Sequence, residues 1–335
     1  MDLKHVLKRG ALLAAANWPV VAIQFIAETT FQVLLAVPVI GAAVLVAILL
    51  GADLADLLRG SLRDVFTTVA SALLSEPVAL VAFVTAFSVV LFGGSALMFI
   101  VKGGTVEVLL AAHRDTGAIE REPLTLNVLR QAGRFTLERF MGGCWRLHRP
   151  YLILGLALMV VYGATTLAYI AFVYYGYQVV EGRALILGWT VIAALSAAVL
   201  VAAITLVNFL YLLMQVAIAV EGVGVTAAPR AVARFVRAEF RELASVFLIV
   251  FGLVVAAMLA SALAWSGVGL IAFVPLVGLA VFPLQLAALA VRGLVFQYLG
   301  LTALGAYVAL YVGYAARSGR TVVVSTGVSA ASVRA

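Results

Sequence analysis

Along this chain the apolar residues form long unbroken runs, and the charged residues gather between them. Runs at 19–51, 77–101, 150–177, 184–220, 244–266 and 284–314 each reach the length needed to cross a bilayer core, which takes about 20 consecutive apolar residues. Inside a bilayer, backbone polar groups must pair within their own segment, so runs like these favour helices. The pattern predicts an all-α fold, a polytopic membrane helical bundle of about six transmembrane helices with interfacial amphipathic helices on the cytoplasmic face. Residues 1–316 then form a single integral membrane domain. Residues 317–335 show little apolar periodicity and read as a flexible cytoplasmic tail.

The interruptions give the finer organisation. Residues 3–16 read as a short amphipathic helix on the inner membrane surface. Asn17-Trp18-Pro19 breaks it and places Trp18 at headgroup level. The run from Pro19 to Gly51 holds 33 residues, about 50 Å at helical rise, against a core of about 30 Å. Either that helix tilts and bends near Pro38, or its first half lies in the interface and the true span is 33–51. Residues 52–76 read as an outer loop with a short surface helix. Gly103-Gly104 is expected to stop the second span, with Lys102 snorkelling to the inner surface. A helix near 105–113, a turn at Asp115-Thr116-Gly117 and an interfacial helix at 125–148 follow, and Pro150 is expected to open the third span. The aromatic residues Tyr169, Phe172, Tyr174, Tyr175 and Tyr177 form a belt at its far end. A second interfacial helix is expected at 227–243. Residues 267–283, rich in Gly and Pro, read as an outer hairpin or a re-entrant, broken segment.

Composition agrees with the pattern. Of 335 residues, 65% are hydrophobic and 11% charged, where soluble domains carry about 25% charged residues. The net charge of +7 raises nucleic acid as a partner, but the basic residues lie between spans and no nucleic-acid partner is expected. The segments assigned to the inside hold eighteen Lys and Arg, those assigned to the outside three, and Arg292 lies within the sixth run. Clustered positive charge stays on the cytoplasmic side, which places both termini, 102–149 and 221–243 inside. Lys4, Lys8 and Arg9 before an apolar run imitate a signal peptide. The run extends to Leu50, so a retained span is expected instead. The single cysteine, Cys144, excludes an intrachain disulfide and fits a reducing face.

A loose repeat is visible, with Arg134-Phe135 and Phe140 matched by Arg234-Phe235 and Phe240. On this architecture the chain resembles bacterial polytopic membrane proteins similar to the membrane domain fused to some glycerophosphodiester phosphodiesterases. The resemblance implies a multi-pass protein of a bacterial cytoplasmic (inner) membrane. His113-Arg114 matches part of those enzymes' active-site signature. No soluble barrel follows it here, so no site residue is carried over.

Candidate chemistry is sparse. Glu28 lies ten residues beyond Trp18, about 15 Å along a helix. Ionisable groups at that depth are functional by default. Equal depths on other spans hold Asn208, Tyr211 and Tyr162, so Glu28, Gln24, Asn208, Tyr211 and Gln215 form a candidate intramembrane polar site. The alternative is that 17–32 is interfacial and Glu28 faces headgroups. Arg130, Arg134, Arg230, Arg234 and Arg292 are candidate lipid-headgroup contacts. Small-residue ridges at Gly305, Ala309 and Gly313, and at Ala256, Ala260 and Ala264, allow close helix packing. Cys144-x-x-x-His148 supplies two ligands where structural zinc takes four. No catalytic residue, metal site or cofactor is expected. The expected role is a non-catalytic subunit, scaffold or lipid-organising component, not an enzyme, with membrane lipids and other membrane subunits as partners. The alternative is a transporter or permease for a small or amphipathic substrate, using the polar site and the broken segment 267–283.

Overall fold

The computed structural model describes residues 3–50, 75–123, 125–180, 186–272 and 277–320. Nine α-helices and one short 3₁₀ turn, Ile119–Arg121, make up the regular structure of these residues, and none of them forms a strand. The helices are α1 (Leu3–Ala16), α2 (Trp18–Leu50), α3 (Pro77–Asp115), α4 (Leu126–Ala132), α5 (Leu137–Val180), α6 (Ile186–Glu221), α7 (Ala228–Ala238), α8 (Phe240–Ala272) and α9 (Val277–Arg317). Six of them, α2, α3, α5, α6, α8 and α9, are long and apolar enough to cross a membrane. The chain is a multi-pass helical membrane protein. It divides into two compact units, Ile23–Val101 and the remainder.

The ends of the elements follow local chemistry. Asn17 interrupts the helix between α1 and α2, as its sequence predicts. Thr125 caps α4 by accepting from the Val128 N–H, and Thr136 accepts from Arg139 N–H at the start of α5. Gly222, at φ 66°, closes α6, its N–H bonding Ile218 O at 3.0 Å. Pro229 sits in the first turn of α7, where it sacrifices no helical hydrogen bond.

Several boundaries differ from the sequence reading. Gly103-Gly104 does not end the second span, because α3 runs through it to Asp115. A Cβ on Gly104 would lie 2.7 Å from Cys144 Sγ and from Phe140 O. The glycines there let α5 lie against the α3 backbone. The predicted interfacial helix 125–148 is split: α4 ends at Ala132, and residues from Leu137 are the first turns of α5, with Pro150 inside that helix. The predicted helix 227–243 is likewise α7 followed by the start of α8. A helix that continues into a span leaves no unpaired backbone groups at a break, and α5, at 44 residues, is about twice as long as a bilayer core is thick. The predicted hairpin 267–283 is narrower than expected: α8 continues to Ala272, and α9 starts at Val277 with Pro283 inside it. The predicted outer loop 52–76 lies almost entirely outside the described residues, as does the tail beyond Arg320.

In the larger unit, one face of α1 is packed into the core. Val6, Arg9, Leu12, Leu13 and Ala14 are buried, and α1 packs chiefly on α9, with α4 and α8 also against it. Gly10 makes this possible: a Cβ there would sit 2.4 Å from Thr302 O and 2.8 Å from Ala306 N. Gly305 faces it, so one predicted small-residue ridge serves internal packing. The other ridge, Ala256, Ala260 and Ala264, is exposed. The helix pairs α5/α6 and α8/α9 form hairpins, and α6 and α9 also meet, Phe209 stacking edge-on to Tyr307 at 5.4 Å.

The buried residues of this unit concentrate at one end. In α5 they run from Phe140 to Gly155, in α6 from Tyr211 to Val220, and in α9 from Leu301 to Ala315. Beyond that end, large apolar side chains such as Val160, Leu167, Leu195, Val199, Leu259 and Leu263 are exposed. The smaller unit packs Ala42 against Ala79, Leu80 and Phe83, and seats the Phe31 ring on Gly94.

Candidate functional site

The polar side chains of the larger unit converge where the buried residues do. Arg9 of α1 is only 7% exposed. Its Nε donates to His113 Nδ1 at 2.9 Å. Nη1 donates to Gly117 O at 3.0 Å and Glu120 Oε2 at 2.7 Å, and Nη2 to His113 O at 2.8 Å and Thr116 O at 3.0 Å. A guanidinium has five N–H donors in a fixed fork, and here all are used. Glu120 is equally buried and neutralises the charge, as a desolvated cation requires. One arginine thus ties the end of α3 and the 3₁₀ turn to α1.

Asn17 does the same for α4. Its Nδ2 donates to Leu13 O at 2.9 Å and Ala132 O at 3.2 Å, while Oδ1 accepts from Arg134 N–H at 2.8 Å. Buried Glu107 on α3 pairs with Arg146 on α5. At the C-terminal end, Glu221 accepts from Tyr311 Oη at 2.8 Å and Arg320 Nη1 at 2.9 Å. That hydrogen bond, against the opposing effect of burial, raises the Arg320 pKa above its ordinary value. Arg317 donates to Glu239 at 2.6 Å, and Gly319, at φ 63°, ends α9 with Arg320 N–H bonding Ala315 O. Residues 317–320, assigned to a flexible tail from sequence, are therefore held by the bundle.

The predicted polar site is distributed over both units. Tyr211 and Gln215 lie one turn apart on α6 and are buried in the core of the larger unit, at 4% and 1% exposure. Lys102 Nζ stands 5.5 Å from the Tyr211 ring centre. Tyr151 Oη donates to Gln215 O at 2.8 Å, while Gln215 Nε2 is buried and has no hydrogen-bond partner. Asn208 is exposed on the same helix and accepts from Tyr162 Oη of α5. Gln24 and Glu28 belong to the smaller unit. Gln24 is buried, and half-buried Glu28 accepts from Gln32 Nε2 at 3.4 Å.

The predicted headgroup arginines also separate. Arg134 lies 3.7 Å from Asp115, and Arg139 lies 3.8 Å from the same carboxylate, so Arg134 is committed to the protein. Arg130, Arg230 and Arg234 are exposed. Arg292 stands 5.8 Å from the Phe296 ring one turn away. On α7 the buried face is Ala228, Ala231, Val232 and Phe235, leaving Arg230, Arg234 and Arg237 outward. The matched repeat residues do not play matched parts: Phe235 and Phe140 are buried, while Phe240 is 63% exposed. Cys144 is buried against Gly104. No group of three His, Cys, Asp or Glu among the described residues is placed to hold a metal ion.

Sequence reasoning missed Arg9, Asn17, Glu107 and Glu120 as a network. Arg9, Glu107 and Glu120 looked like ordinary loop or surface residues and Asn17 like a helix break, and the partners lie 39 to 117 positions apart. No family model, curated protein or solved structure matches the chain.

Proposed function

We propose that the chain is a non-catalytic component of a bacterial cytoplasmic membrane, one that organises lipid and offers its helices to other subunits of a membrane assembly. The observation that carries this reading is the division of labour within the larger unit. Polar groups at the basic end are spent on one another, as with the five donors of Arg9, while beyond it α5, α6 and α8 present large exposed apolar side chains. Such surface is what lipid tails or partner helices cover. The outward arginines Arg130, Arg230 and Arg234 lie at the same end as the polar network, and each arginine near anionic lipid contributes about 1 kcal/mol. The resemblance to phosphodiesterase-associated membrane domains fits the same reading.

A second reading, transport, is favoured by one observation, the buried Gln215 amide nitrogen without a partner. Polar groups facing a dry core are costly unless something pairs with them, and a passing substrate is one such group. One experiment separates the two. Replacing Arg130, Arg230 and Arg234 with Gln should lower the anionic lipid that co-purifies in mild detergent; unchanged lipid would overturn the leading reading. Gln215→Leu should leave the fold intact or raise its stability, because it removes an unpaired group. A folded Gln215→Leu protein that loses a solute flux measurable in vesicles would establish transport instead.

A further inference from the structure

An arginine of α7 borders an apolar cleft. It has a volume of about 430 Å³ and lies between α6 and α7, lined by Leu210 and Met214 from one helix and Val232, Ala233 and Val236 from the other. Arg237 lines it too. Positions 229, 232, 233, 236 and 237 recur at helical spacing, so one stripe of α7 faces the cleft. Arg237 is exposed, and the side chains of Arg230, Arg234, Arg237 and Arg241 make no hydrogen bond or ion pair with a described residue. Of the two acids in this stretch, Glu239 is engaged by Arg317, and Glu242 adjoins Arg241 in the first turn of α8. The Arg237 guanidinium, with no ion pair to a described residue, thus stands at the lining of an apolar cleft.

We infer that this cleft holds an acyl chain of one anionic membrane phospholipid, with its phosphate on Arg237. The apolar lining excludes a soluble anion as the whole ligand, because it offers a phosphate no donor deeper than Arg237. The uncompensated charge favours an anionic over a zwitterionic headgroup. A chain entering beside Arg237 meets apolar wall from both helices. Met214, unbranched and polarizable, can adapt to a flexible chain. The inference rests on the lipid-organising reading and narrows it from a surface to a site.

The test uses the full chain in mild detergent, with native mass spectrometry after exposure to phosphatidylglycerol or to phosphatidylcholine of the same chains. Arg237→Gln should lower phosphatidylglycerol retention about fivefold. Met214→Trp, which fills the cleft while keeping every arginine, should lower it comparably; if that variant misfolds, Ala233→Leu reads the same feature. Soluble glycerophosphoglycerol should not compete. Retention unchanged in both Arg237→Gln and the cleft-filling variant would overturn the site, as would equal retention of phosphatidylcholine or full competition by the soluble headgroup. Loss of lipid in the Arg130, Arg230 and Arg234 variant alone would sink the cleft and leave the broader lipid-organising reading standing. Lipid unchanged in every variant would sink both.

Discussion

Arg9 shows how a single residue can fix a membrane protein's architecture outside the membrane. Its fork reaches three carbonyls, a carboxylate and an imidazole, and no other side chain has that many donors in that geometry. Arg9→Ala should strand the Glu120 carboxylate in a buried site, and removing one partner of a buried pair costs about 3–5 kcal/mol. Arg9→Lys should recover only part, since an ammonium restores the charge but offers three donors from one point. Thermal unfolding in detergent checks this, with the exposed Arg121→Lys as the reference. Midpoints for Arg9→Ala and Arg121→Lys that coincide would show the network to be dispensable. None of this was legible in the sequence, where Lys4, Lys8 and Arg9 form a set typical of an interfacial helix. Burial of one member depends on Gly10 admitting α9 from the far end of the chain, and a linear pattern carries no trace of that contact.

At the scale of elements, apolar runs reported the spans well, because the length of a run is itself the physical requirement for crossing. The breaks were harder. Asn17 and Gly222 do end helices, while Gly103-Gly104 and Pro150 sit inside them. A glycine pair that weakens a helix locally is retained where a second helix must come close, and that gain is tertiary. Adjacent glycines in α5 make this testable. A Cβ on Gly142 meets nothing within 4 Å, whereas one on Gly143 would collide with the Glu107 side chain of α3. Gly142→Ala should therefore stabilise by about 0.5–1 kcal/mol through helix propensity. Gly143→Ala should destabilise by about 1–3 kcal/mol as an overpacked contact and disturb the Glu107–Arg146 pair. Equal and opposite-signed shifts are not required, but two stabilising substitutions would mean that α3 and α5 do not approach at these glycines.

For the molecule as a whole, charge distribution and geometry point the same way by independent routes. The sequence assigns the basic segments to one side by the bias of their Lys and Arg. The structure joins the N-terminal helix to the end of α3 through Arg9, to α4 through Asn17, and the end of α9 to Glu221 and Glu239. Segments linked by direct hydrogen bonds lie on one side of any membrane that the intervening helices cross. Which side that is follows from the cost of translocating clustered positive charge, and it is expected to be the cytoplasm. The expectation is checked in a Cys144→Ser background, with single cysteines at Ser61, Gly182 and Arg230. An impermeant thiol reagent applied to intact cells should modify the cysteines at Ser61 and Gly182, and should reach the one at Arg230 only after lysis. The reverse pattern would invert the whole protein and move the arginines of α7 to the outer leaflet, taking the proposed phospholipid site with them. Labelling at all three positions in intact cells would break the six-span topology itself, because the ends that Arg9, Asn17 and Arg320 hold together could not then share a side with a sealed bilayer between them and the far loops.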